Sequence, residues 1–78
     1  MKNSITKINV HSLADNWPST LVSREKVGEF SGGILYPRTL ANLDSKGIGP
    51  KRIRIGRKIA YEVNDLCNWL AERSEEVK

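Results

Sequence analysis

The chain has 78 residues, thirteen Lys and Arg against nine Asp and Glu, and a net charge of +4, so it holds one small core and favours anionic partners. Cys67 is the only cysteine, which excludes an internal disulfide, and no ligands stand at zinc spacing. Residues 1–20 contain no continuous apolar run, so no signal peptide is expected, and nothing approaches the ~20 apolar residues that span a bilayer. The composition fits a soluble intracellular protein.

In chain order, residues 1–20 are expected to form a partly ordered arm. Ser12-x-x-Asp15 can open a short helix that Pro18 ends after Trp17. Ile5, Ile8 and Val10 fit neither a strand nor a helix. The alternative is that Trp17 packs back and anchors the arm. Ser23 is a predicted N-cap for a helix over Arg24 to Phe30, with Val22 stapling its entry. Gly32-Gly33 breaks that helix. A second helix is predicted over Pro37 to Lys46, with Pro37 at its first position. Leu40 and Leu43 define its buried side. At about 100° per residue, Arg38, Asn42 and Ser45 project from the opposite side, flanked by Thr39 and Lys46. Gly47 suits the C′ position, and Pro50 prevents resumption.

Residues 45–61 carry six bases and no acid: Lys46, Lys51, Arg52, Arg54, Arg57 and Lys58. Adding Arg38 and Asp44, the window from Phe30 to Tyr61 holds seven bases and one acid, which leaves the rest of the chain net negative. Ile53, Ile55 and Ile59 alternate with the bases, and Gly56 falls where a turn is needed. A strand sends successive side chains to opposite faces. The expectation is a hairpin over about Arg52 to Tyr61, with its isoleucines in the core and Arg52 and Arg54 outward. A last helix is predicted from Asn64, as N-cap, to Arg73, with Val63, Leu66, Trp69 and Leu70 as its apolar stripe. The polar end, Glu72 to Lys78, is expected to fray.

Two helices, a tight turn and a cationic hairpin make a winged helix-turn-helix. The fold class is therefore α+β, with three helices and a two-stranded wing, over residues 21–73 between an arm (1–20) and a tail (74–78). A helix fits the major groove, where Arg suits guanine and Asn suits adenine. Its N-terminus, carrying Arg38 and Thr39, can also face a phosphate. A hairpin bearing Arg54, Arg57 and Lys58 suits the backbone or minor groove. There are plainer readings of single residues. Thr39 can cap the backbone locally, Lys46 can complement the helix dipole, and a charge run can be a solvated face.

The segments LVSREKVGEFSG, YPRTLANLDSKGIGP and RIRIGRKIAYEVNDLCNWL, over Leu21 to about Leu70, resemble the excisionase / AlpA-type helix-turn-helix family. Those small phage and plasmid proteins are related to the MerR winged helix. The ordered set PRTLANL, GIGP, IRIGRK and the late Asp65-Leu66 with Trp69-Leu70 carries the likeness. The resemblance implies a second helix in the major groove and a Gly-Arg wing at the minor groove or backbone. By position it makes Arg38, Thr39 and Asn42 base readers and puts Arg57 and Lys58 at the wing tip. Tyr36 departs from the family, which usually has a small capping residue before the proline, and the GGIL turn is slightly long.

The implied function is sequence-specific double-stranded DNA binding by a recombination directionality factor, which bends attachment-site DNA and steers an integrase toward excision. Its partners would be DNA, a phage-type integrase and further copies of itself, in the bacterial cytoplasm at the nucleoid. The alternatives are a prophage transcriptional regulator and a protein-interaction module that docks an acidic partner. No cofactor, metal or catalytic residue is expected, because no His–Ser or His–Cys arrangement, paired acids or phosphate-binding Gly-rich loop is evident.

Overall fold

Arg24, Asp44 and Tyr61 come from three different segments and meet at one buried carboxylate. That contact organises a computed structural model that describes residues 9–75. Residues 1–8, with Ile5 and Ile8 of the expected arm, and tail residues 76–78 lie outside the described residues.

A 3-10 helix, Val10–Asn16, comes first, followed by strand β1, Leu21–Ser23. A 3-10 turn, Arg24–Lys26, runs straight into helix α1, Val27–Phe30. Helix α2 is Pro37–Ser45, strands β2 and β3 are Ile53–Ile55 and Lys58–Glu62, and helix α3 is Val63–Arg73. The α+β winged arrangement is as the sequence predicts, but the sheet is larger. It has three strands in the order β1-β3-β2, antiparallel throughout. The predicted two-stranded wing gains β1 because Val22, read as a staple for the following helix, is instead a buried strand residue opposite Tyr61.

The core is formed by Val22, Val27, Phe30, Leu35, Leu40, Tyr61, Val63, Leu66 and Cys67. Trp17 meets Phe30 edge to face at 5.4 Å, and its indole N–H donates to the Leu21 carbonyl at 2.9 Å. Leu13 and Ala14 pack on the same core. So from Asn9 onward the chain takes the anchored alternative, and its 3-10 helix lies against α3. His11 is placed there, with Nε2 2.7 Å from Asn68 Oδ1.

Both helices of the helix-turn-helix end by one device. After α1, the Gly33 N–H donates to the Gly28 carbonyl at 2.8 Å, and Ser31 Oγ accepts from the Leu35 N–H. After α2, the Ile48 N–H donates to Leu43 and the Gly47 N–H to Asp44, each at 3.0 Å. This is the Schellman pattern, which needs a left-handed residue at C′; Gly47, at φ +77°, supplies it.

Helix starts are less well capped than predicted. Ser23 precedes its helix but makes no side-chain cap bond. Val63 is already helical, so Glu62 takes the flanking place expected of Asn64. The Val63 N–H instead donates to the Thr20 carbonyl beside the β1–β3 pair. Tyr36 flanks α2 with no side-chain cap bond, and Pro37 occupies the first turn as predicted.

The buried residues of α2 are Leu40 and Asp44, while Leu43 is half-buried. Asp44 is 4% exposed. Its Oδ2 accepts from Arg24 Nη2 at 2.6 Å and from the Tyr61 hydroxyl at 2.7 Å, and Arg24 Nε donates to that hydroxyl at 3.1 Å. Gly49 lies so close that a Cβ there would stand 2.0 Å from Asp44 Oδ1. Removing one partner of a buried pair costs about 3 kcal/mol or more, and Arg24, one quarter exposed, can partly rehydrate. Asp44→Ala is therefore expected to lose about 3 kcal/mol and Tyr61→Phe about 1 kcal/mol in urea unfolding. An Asp44→Ala midpoint indistinguishable from wild type would remove the carboxylate from its structural role.

Candidate nucleic-acid interface

Helix α2 turns Arg38, Thr39, Asn42, Ser45 and Lys46 to solvent, because Leu40 and Asp44 take its inner side. The three predicted base readers, Arg38, Thr39 and Asn42, and the further candidate contacts Ser45 and Lys46 are thus all exposed along α2 and its C-cap. Among the described residues, no side-chain hydrogen bond or ion pair holds Arg38, Asn42 or Lys46. Ser45 is different: its hydroxyl donates to the Asn42 carbonyl at 2.8 Å. That bond closes the last helical turn and reduces what Ser45 can offer a base. Tyr36, 61% exposed, extends this surface at the N-terminal end.

The wing residues Arg52, Arg54, Arg57 and Lys58 are also exposed. Gly56, at φ +62°, opens the two-residue turn that brings Arg57 to the tip. Two of the four bases have acidic neighbours. Lys58 donates to Glu25 at 2.5 Å, and its ammonium holds that carboxyl below the usual range. Both partners are well exposed, and such pairs add little stability. Arg52 Nη1 lies 4.0 Å from Asp44 Oδ1, the one buried side-chain oxygen without a hydrogen bond among the described residues. The wing is thereby tied electrostatically to the C-terminal end of α2.

The strand register overturns one expectation. Opposed residues in an antiparallel pair share a face of the sheet. Val22 faces Tyr61 on the core side, and Ile59, two residues before Tyr61, lies on that same side opposite Arg54. Ile53 and Ile55 therefore lie on the other face, opposite Ala60 and Lys58. They are 42% and 55% exposed, so neither enters the core; only Ile59 is half-buried. Alternation in β2 is as predicted, but its polarity is inverted: the arginine shares the core-side face beyond the end of the core, and the isoleucines face solvent.

Arg24, Asp44, Tyr61 and Glu25 also shape the site, and the sequence does not single them out. Asp44 had one available signal, since it stands four residues after Leu40 on the buried side of α2. Its burial changes the electrostatics. The only acid between Phe30 and Tyr61 is enclosed and neutralised by Arg24, so every exposed charge in that stretch is positive.

Cys67 is buried, and burial pushes its thiol up, which disfavours the reactive thiolate. No group of three or more His, Cys, Asp or Glu that could hold a metal occurs among the described residues. No described helix is long and apolar enough to cross a membrane. Comparison with protein-family models and with curated proteins finds no match for the chain.

Burial, with the Asp44 carboxylate adding to it and Arg24 opposing, pushes the Tyr61 phenol up to about 12, against an ordinary 10. The unfolded chain then releases this proton before the folded one does, so the contribution is intact below pH 10 and is lost as pH rises toward 12. Unfolding midpoints measured across that interval are expected to fall more steeply for wild type than for Tyr61→Phe. Parallel curves would contradict a raised phenol.

Proposed function

We propose that the chain is a sequence-specific double-stranded DNA-binding protein of the excisionase type, with α2 in the major groove and the β2–β3 wing on the adjacent backbone or minor groove. One observation carries this reading. From Pro37 to Tyr61 the exposed charge is uniformly cationic, because the sole acid of that stretch, Asp44, is buried against Arg24. A patch of one sign steers and holds a polyanion. Its geometry also divides the labour. The outward residues of a helix can reach base edges, while wing arginines neutralise phosphates, which give affinity and register.

Arg38 and Asn42 are the base readers in this reading, with Thr39 beside them. Lys46, Arg52, Arg54, Arg57 and Lys58 supply backbone contacts. Lys58 has to leave Glu25 to do so, at little energetic cost for an exposed pair. The motif set described above supports a recombination directionality factor, which occupies adjacent attachment sites, bends them and engages a phage-type integrase. A prophage regulator would use the same binding chemistry.

The test is a gel shift with the attachment end of the neighbouring mobile element against random DNA at matched salt. Tighter binding to the first, with a steep loss of affinity as salt rises, is expected. Equal affinities would remove sequence-specific recognition, and no binding to either near physiological salt would favour an acidic protein partner. Arg38→Ala and Asn42→Ala are each expected to narrow the gap between specific and random DNA by roughly 1–3 kcal/mol, the value of a bidentate base contact. Arg57→Ala should weaken both DNAs alike and lower the salt slope by about one. Equal losses on both DNAs for Arg38→Ala would reassign Arg38 to the phosphates.

A further inference from the structure

Ile53 and Ile55 are the wing's unexplained residues. Both face solvent from a three-residue edge strand, and Arg52, Arg54, Arg57 and Lys58 surround them in sequence, all exposed. A wing that only touched phosphates would gain nothing from two solvent-facing isoleucines, since isolated apolar side chains on an open edge favour association. On the isoleucine face Lys58 stands opposite Ile55, Arg57 lies in the adjoining turn, and Arg54 projects from the other face of the same strand, so the hairpin presents apolar side chains between cations and its partner should be anionic outside and apolar within. Pairing of two β2 edges would bring Arg52 and Arg54 of both copies together, and like charges oppose that. Duplex DNA fits better: phosphates flank a minor groove about 6 Å wide, and apolar base faces become accessible where a base step is partly unstacked.

Ile55 also stands at the right place in the wing. It pairs with Lys58 in the last register position before the Gly56–Arg57 turn, so it is the apolar side chain nearest the tip. Minor-groove proteins insert apolar side chains, isoleucine among them, between base steps and kink the duplex by roughly 20–90°.

We infer that Ile55, backed by Ile53, is a wedge that the wing inserts at a base step of the minor groove, so that this protein bends DNA through its wing while α2 reads the sequence. The inference rests on the DNA-binding reading and adds to it a defined intercalating residue. Arg57 and Lys58 then act as phosphate clamps beside the wedge, and Arg54 reaches the backbone from the opposite face of the hairpin. Nothing in the core depends on Ile55, so its replacement leaves the fold intact.

The experiment uses the full chain and a duplex that it selects from a random-sequence pool. Bending is read by circular-permutation gel shift, and unstacking by 2-aminopurine fluorescence at each step of the wing's minor-groove footprint. Wild type is expected to bend the duplex by tens of degrees and to brighten the probe at one step. Ile55→Ser, with an unchanged melting midpoint, should lose most of the bend and the fluorescence rise while still preferring the selected duplex. An unchanged bend and probe signal in Ile55→Ser would overturn the wedge and leave the DNA-binding reading standing. An unchanged bend with lost cooperativity between adjacent sites would assign the isoleucines to a second copy, again overturning it. Failure of wild type to enrich any duplex from the pool would instead overturn the DNA-binding reading itself.

Discussion

One buried carboxylate holds the domain's parts in register. Asp44 lies in the last turn of α2, Arg24 follows β1, and Tyr61 lies in the central strand, so their hydrogen bonds join α2 to the sheet that carries the wing. A small core supplies little stability from burial alone, and here a directional contact adds what apolar packing does not specify. Gly49 belongs to the same constraint, because the chain leaving α2 passes against Asp44 with no room for a side chain. The angle between helix and wing thus depends on a charge that must be paired, and losing either partner leaves the other buried and uncompensated.

The same contact shapes the outer field. Were Asp44 on the surface of α2, it would sit among Arg38, Ser45 and Lys46 and repel a phosphate. Enclosed against Arg24, it leaves the exposed charge from Pro37 to Tyr61 with a single sign. Arg24 lies outside the basic window, so its charge is spent internally without depleting the wing. Structural pairing and surface polarity are two results of placing one acid on the inner side of one helix.

How legible all this was depended on whether the rule involved was local. Pro37, Leu40 and Gly47 mark α2 through short-range geometry, and its limits come within a residue of the predicted ones. The exposed face of α2 follows from helical periodicity alone, and so do the five residues on it. The wing's turn at Gly56 was equally local. Three features were not. β1 is only three residues long, and its partner lies about forty positions away, so Leu21–Ser23 reads as the approach to a helix. Trp17 anchors by one aromatic contact and one hydrogen bond, neither of which leaves a period. Asp44 was counted as exposed charge because composition carries no burial, although its spacing from Leu40 placed it inward.

The inverted wing was the least legible feature, for a definite reason. Alternation separates the residues of β2 into two sets but does not say which set meets the core. That choice is made in β3, where Tyr61 is drawn inward by Asp44 and Val22, and the pairing of Ile59 with Arg54 follows from it. Because β2 lies beyond the end of the core, neither orientation of its side chains could bury them fully. An arginine on the core-side face can stay hydrated there, as its exposure indicates, and the isoleucines are left to solvent. Stability therefore places few demands on Ile53 and Ile55, and their apolar character does not follow from what holds the wing up.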